Sequence, residues 1–68
     1  MTIYQLIISF REQIRSVSFH ATGDTAAIEV AYLFCTEDQY RVEVRENVGV
    51  TVGIWRWDDD TGKPVVTT

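Results

Sequence analysis

The chain has 68 residues, 46% of them apolar, and ten acidic against six basic side chains give it a net charge of −4. A length of this order holds a single core that buries about 60% of the unfolded surface, and the apolar content excludes a disordered chain. The acidic balance argues against direct binding to nucleic acid or an anionic membrane, which calls for clustered Lys and Arg, and the single Cys35 excludes an internal disulfide.

The first apolar run, Ile3–Phe10, is far short of the ~20 residues of a membrane span. It also lacks the basic flank and small-residue cleavage site of a secretion signal. A cytoplasmic protein is therefore expected, where a lone thiol stays reduced. Read as a strand, the run sets Tyr4, Leu6, Ile8 and Phe10 on one face and Ile3, Gln5, Ile7, Ser9 and Arg11 on the other. Read as a helix, it gives a stripe of Ile3, Ile7, Phe10, Ile14 and Val17, with Thr2 and Gln5 imitating a capping box. The helix places Arg11 and Arg15 inside its apolar arc, so the strand is favoured. A hairpin of Ile3–Arg11 with Ile14–Ala21 follows. Its second strand turns Val17, Phe19 and Ala21 inward and Ser16, Ser18 and His20 outward.

Thr22–Thr25 spells a turn and an N-cap, where an Asp or Thr oxygen can accept from exposed backbone donors. From Thr25 to about Glu37 the spacing is helical. Ala27, Val30, Ala31, Phe34 and Cys35 form the buried stripe, with Ile28 at its edge and Thr25, Glu29 and Thr36 in water. Alanines at 27 and 31 let the helix lie close to a sheet.

The third strand alternates Tyr40, Val42 and Val44 with Arg41, Glu43 and Arg45, and Glu46–Gly49 supplies a hairpin turn. In the fourth, Val50, Val52 and Ile54 share one parity, and Thr51, Gly53, Trp55 and Trp57 the other. Asp59–Gly62 makes a further turn, after which Val65–Val66 can add a short edge strand. The predicted fold is α+β, in the order β-β-α-β-β: an antiparallel sheet of four strands, or five with the terminal one, ordered 2-1-3-4. One helix covers one face and leaves the other open.

The open face so drawn carries Ile3, Ile7, Arg41, Arg45, Trp55 and Trp57. Trp and Arg are enriched at binding hot spots, and Arg stacked on Trp keeps an apolar surface soluble. A bulge at Gly53 is the alternative; it would swap the parity and send both tryptophans beneath the helix. Asp58, Asp59 and Asp60 would guide the chain toward a basic protein surface. Other chemistries find less support. Asp60-Thr61-Gly62 spells the aspartic-protease triplet, but its flanks Asp59 and Lys63 are those of a solvated turn. As a calcium loop the aspartate run fails because Gly62 falls fifth rather than sixth. His20 and Cys35 are expected in different layers, which argues against a nucleophile-base dyad. No cofactor or metal site is expected.

The segments IYQLIISF, SVSFHATGDTAAIEVAYLF, YRVEVREN and VGIWRW give the chain a pattern that resembles small bacteriophage accessory proteins, including anti-CRISPR proteins built from one helix on an antiparallel sheet. The resemblance transfers no functional residue. It implies a class of proteins that act stoichiometrically by covering another protein's working surface. The expected function is a non-enzymatic protein-binding module, an inhibitor of a host complex, with Trp55, Trp57, Arg41 and Arg45 as anchors. The alternative is a structural homo-oligomer paired through the open sheet face.

Overall fold

A computed structural model describes residues 1–67. Five strands and one helix follow in the order β1 (Thr2–Phe10), β2 (Gln13–Ala21), α1 (Asp24–Tyr32), β3 (Arg41–Glu46), β4 (Thr51–Asp58) and β5 (Lys63–Thr67). The first segment is a strand, as its alternation favours. The sheet is ordered β2-β1-β3-β4-β5 and every neighbouring pair is antiparallel. Val65 and Val66 lie in the fifth strand, opposite Arg56 and Trp55.

Alternation explains the core. Tyr4, Leu6 and Ile8 of β1 stand beside Val42 and Val44 of β3 on one sheet face, and all five are buried. Ala27, Ala31 and Cys35, spaced by four residues, pack against them. Small side chains at the first two positions let the helix approach closely. Phe19, Val52, Trp55 and Trp57 fill the margins of this cluster.

The helix departs from its sequence expectation at both ends. Its N-cap is Gly23, without a side-chain cap, and Ala27 N–H donates to the Gly23 carbonyl at 3.0 Å. Asp24 instead accepts from the Tyr4 hydroxyl at 2.7 Å, tying the first turn to β1. At the other end α1 stops at Tyr32 rather than near Glu37. Tighter i→i−3 bonds follow, from Phe34 N–H to Ala31 at 3.0 Å and from Cys35 N–H to Tyr32 at 3.2 Å. That tightening keeps Cys35 in the core and turns Leu33 and Phe34 outward, so Phe34 is not the buried stripe residue its spacing suggests.

The decisive departure lies in β4. Val44 pairs with Gly53, but Arg45 pairs with Thr51, so Val52 is an extra residue without a partner. This bulge, beside Gly53, reverses the parity of β4. Trp55 stands opposite Val42 on the helix side, and Ile54 and Arg56 take the open side. The Trp55 indole N–H donates to the Ile28 carbonyl of α1 at 2.8 Å, and its ring meets Tyr32 edge-on at 5.1 Å. Trp57 shares that side, opposite Pro64. The expectation of two open-face tryptophans is therefore overturned.

Trp55 is thus a structural pin between sheet and helix. Trp55→Phe keeps the packing but removes the indole donor, at an expected cost of about 1 kcal/mol. Trp55→Ala also vacates the space and costs about 3 kcal/mol, most of the ~3–5 kcal/mol that a core of this size supplies. Urea unfolding followed by far-ultraviolet circular dichroism should rank wild type above Trp55→Phe, with Trp55→Ala lowest and only marginally stable before urea is added. A Trp55→Ala as stable as wild type would return the indole to a surface role.

Candidate functional site

The face without a helix is chemically distinct from the covered one. Its centre is Glu43 on β3. Ile7 of β1 and Ile54 of β4 stand opposite it on the two neighbouring strands. Arg41 and Arg45, two positions to either side along β3, project from the same face. Arg41 bridges to Glu43 at 3.2 Å, Arg45 Nε donates to its other oxygen, and Thr51 Oγ donates to that oxygen at 2.7 Å. Flanking isoleucines and arginine stems leave the Glu43 side chain only 6% exposed, although no second layer covers it. Thr51 reaches this carboxylate because of the bulge, which puts it on the open side while Trp55 goes to the other.

Arg56 completes the cluster. It is exposed and stands directly opposite Arg41 on the neighbouring strand, an arrangement of like charges that is unfavourable without an anion between them. Further out, Asp58 faces Lys63 across β4 and β5. The open face therefore carries Arg41, Arg45, Arg56 and Lys63 against Glu43 and Asp58. From Ser16 to Tyr40, by contrast, there is no Lys or Arg, and the helix and its following loop hold Asp24, Glu29, Glu37 and Asp38. An acidic chain thus has a cationic face.

The residues singled out from sequence are not brought together. Arg41 and Arg45 lie on the open face, Trp55 and Trp57 on the helix side. Asp58, Asp59 and Asp60 lie at the β4–β5 connection. There Asp58 accepts from the Asp60 N–H at 3.0 Å and from the Gly62 N–H through its backbone carbonyl at 2.8 Å. Gly62, at φ +68°, closes that turn in a conformation other residues adopt only with strain. These bonds give the run a local structural role. Glu43, Ile54 and Arg56 are the members that sequence reasoning missed, and Gly53 was the sole hint of the parity change that brings Ile54 and Arg56 to this face.

Cys35 is buried beneath the helix, where burial pushes its thiol above the ordinary value. His20 lies opposite Ile3 on the open side, so the two occupy different layers. Shallow concavities lie at the β1–β2 turn, lined by Phe10, Arg11, Glu12 and Gln13, and beside Met1–Ile3 and Glu46–Val48. Neither holds the Glu43 cluster. No helix among the described residues is long and apolar enough to cross a membrane. Comparison of the chain with protein-family models, curated proteins and solved structures gives no match.

Glu43 has a titration signature. Burial pushes its carboxyl up, but the hydrogen bond from Arg45, that from Thr51, the Arg45 charge and the Arg41 contact outweigh burial and hold it below its ordinary value. A carboxyl depressed on folding stabilises the fold above its unfolded pKa of about 4.3, and that contribution is lost as pH falls through the folded value. The urea midpoint of wild type should exceed that of Glu43→Gln at pH 6, and the gap should narrow below about pH 4. A gap that does not change with pH would mean that the charge of Glu43 contributes nothing.

Proposed function

We propose that the chain is a non-enzymatic protein-binding module whose working surface is the uncovered sheet face, and that its partner presents an acidic segment with apolar residues interleaved. Arg41 facing Arg56 across β3 and β4, beside exposed or half-buried Ile3, Ile7 and Ile54, carries this reading. Glu43 holds Arg41 and Arg45 in place before a partner arrives, which lowers the ordering cost of binding. A carboxylate lodged between Arg41 and Arg56 would relieve their repulsion and gain charge-assisted hydrogen bonds. The isoleucines supply apolar contact around it. Among the described residues no Phe, Tyr or Trp stands on this face, and only His20, toward the β2 edge, carries a ring there, so stacking of successive bases has no platform.

This changes the partner chemistry expected from the aspartate run, whose carboxylate and carbonyl groups serve a turn. Stoichiometric inhibition of a host complex remains the form of action that the phage resemblance suggests, and this face is its natural instrument. Face-to-face pairing of two copies is disfavoured on charge, since it would set arginines against arginines.

The test is a nuclear magnetic resonance titration with two probes, a peptide alternating Glu with Leu and one alternating Lys with Leu. The acidic peptide should shift the amides of Arg41, Arg45, Ile54 and Arg56. Arg56→Glu should weaken it roughly tenfold, and added salt should weaken it further. Shifts confined to Asp58–Asp60 with the basic peptide, and none with the acidic one, would defeat the proposal.

A further inference from the structure

We propose that β2 is a self-pairing edge, and that two copies of the chain join antiparallel along it into one continuous ten-stranded sheet. The two edges of the sheet differ. β5 is five residues long and contains Pro64 beside Lys63, both of which discourage further pairing. β2 is nine residues long, with no proline, glycine or bulge, and it is exposed on both faces along most of its length. The helix reaches only its end, at Phe19 and Ala21, which leaves Val17 44% exposed on the helix side, and Ile14, on the uncovered face, is 73% exposed. A long unprotected strand of this kind is a template for another strand.

The register of the β1–β2 hairpin says which backbone groups are free. Phe10 pairs with Gln13 across a two-residue turn, and such a closing pair is hydrogen-bonded. By alternation Gln13, Arg15, Val17, Phe19 and Ala21 direct their N–H and C=O groups to β1. Ile14, Ser16, Ser18 and His20 therefore direct theirs outward, to the empty side.

A two-fold axis through Val17 uses all four. Ser16 then exchanges backbone bonds with Ser18 of the second copy, and Ile14 with His20. Val17 meets its own equivalent at the axis in a non-hydrogen-bonded pair, with Cα atoms about 4.5 Å apart. On that same side Arg15 lies opposite Phe19 of the second copy, a cation over an aromatic ring. No like charges are opposed. The register ends with Gln13 opposite Ala21 of the second copy, where the β1–β2 turn begins. The strand is thus complementary to itself, as an isologous contact demands. One strand edge buries less than the ~1,200 Å² of a standard interface, so the dimer is weak and concentration-dependent. The surface is separate from the arginine face, and either inference can fail alone.

Sedimentation equilibrium of the full chain from ~10 µM to ~1 mM should show the mass rising from one copy toward two. Ser18→Pro deletes an outward N–H without breaking an internal ladder bond; it should remain monomeric with an unchanged circular dichroism spectrum. Val17→Cys, oxidised with glutathione disulfide, should give a covalent dimer at least about tenfold faster than Ile14→Cys, because only the axial pair meets disulfide geometry. Buried Cys35 stays out of that reaction. A single-copy mass throughout, a dimer that survives in folded Ser18→Pro, or equal cross-linking at positions 14 and 17 overturns the proposal. Should Ser18→Pro fail to fold, the cross-linking comparison decides.

Discussion

One extra residue in β4 organises this molecule. Without the bulge at Val52, Thr51 and Trp55 would project from the same face, and one of two contacts would be lost. Either Thr51 would leave the Glu43 carboxylate, or the Trp55 indole would leave the Ile28 carbonyl. The bulge lets a single short strand send a hydroxyl to one side and an indole to the other. The first contact arms the open face, and the second fastens its lid on the opposite side. Bulges cost an interrupted ladder, and here the interruption separates a stability element from the face proposed for recognition.

The second constraint is one of coverage. A helix of nine residues is about 14 Å long, whereas five strands span about 19 Å from first to last. α1 contacts β3, β4 and the end of β2, and the remainder of β2 is left bare. A chain this small cannot cover every apolar position. Apart from Leu33 and Phe34 after the helix and Val48 and Val50 in the β3–β4 turn, what remains uncovered includes two extended regions, the far sheet face and the β2 edge. On the face, arginines keep the isoleucines soluble. Along the edge, serines alternate with apolar residues, which protects against unspecific collapse but not against a matching strand.

Much of the fold was legible because alternation is a strong signal when one face is buried. Tyr4, Leu6 and Ile8 announced β1, Val42 and Val44 announced β3, and Ala27 and Ala31 announced the helix face. The tryptophans were misplaced for a reason inherent in the same signal: a period of two carries parity forward from residue to residue, and one inserted residue inverts everything after it. Nothing in VGVTVGIWRW distinguishes the regular from the bulged register except Gly53, and glycine tolerates both. The helix end was equally hidden. Leu33 and Phe34 are as apolar as a buried stripe requires, and their exposure comes from where the tightening turn points them. Glu43 was passed over because a charged residue on a strand's outer parity is ordinarily solvated. Its burial depends on two arginines and two isoleucines that only pairing brings around it.

The face and the edge acquire a joint meaning from symmetry. A two-fold axis at Val17 in an antiparallel strand pair runs perpendicular to the sheet, so it leaves each face on its own side. Both helices would then lie on one side of the joined sheet and both arginine clusters on the other. β3 is the third strand from the edge, which separates the two clusters by five strand spacings, about 24 Å. A partner carrying two acidic segments at that distance would bind the second intramolecularly, gaining in avidity without any new contact. A weak edge is then an advantage over a permanent one. Partner binding and strand pairing would then reinforce each other, because each bivalent partner would raise the local concentration of β2 edges and bring the joined form in at a lower concentration than the chain alone requires.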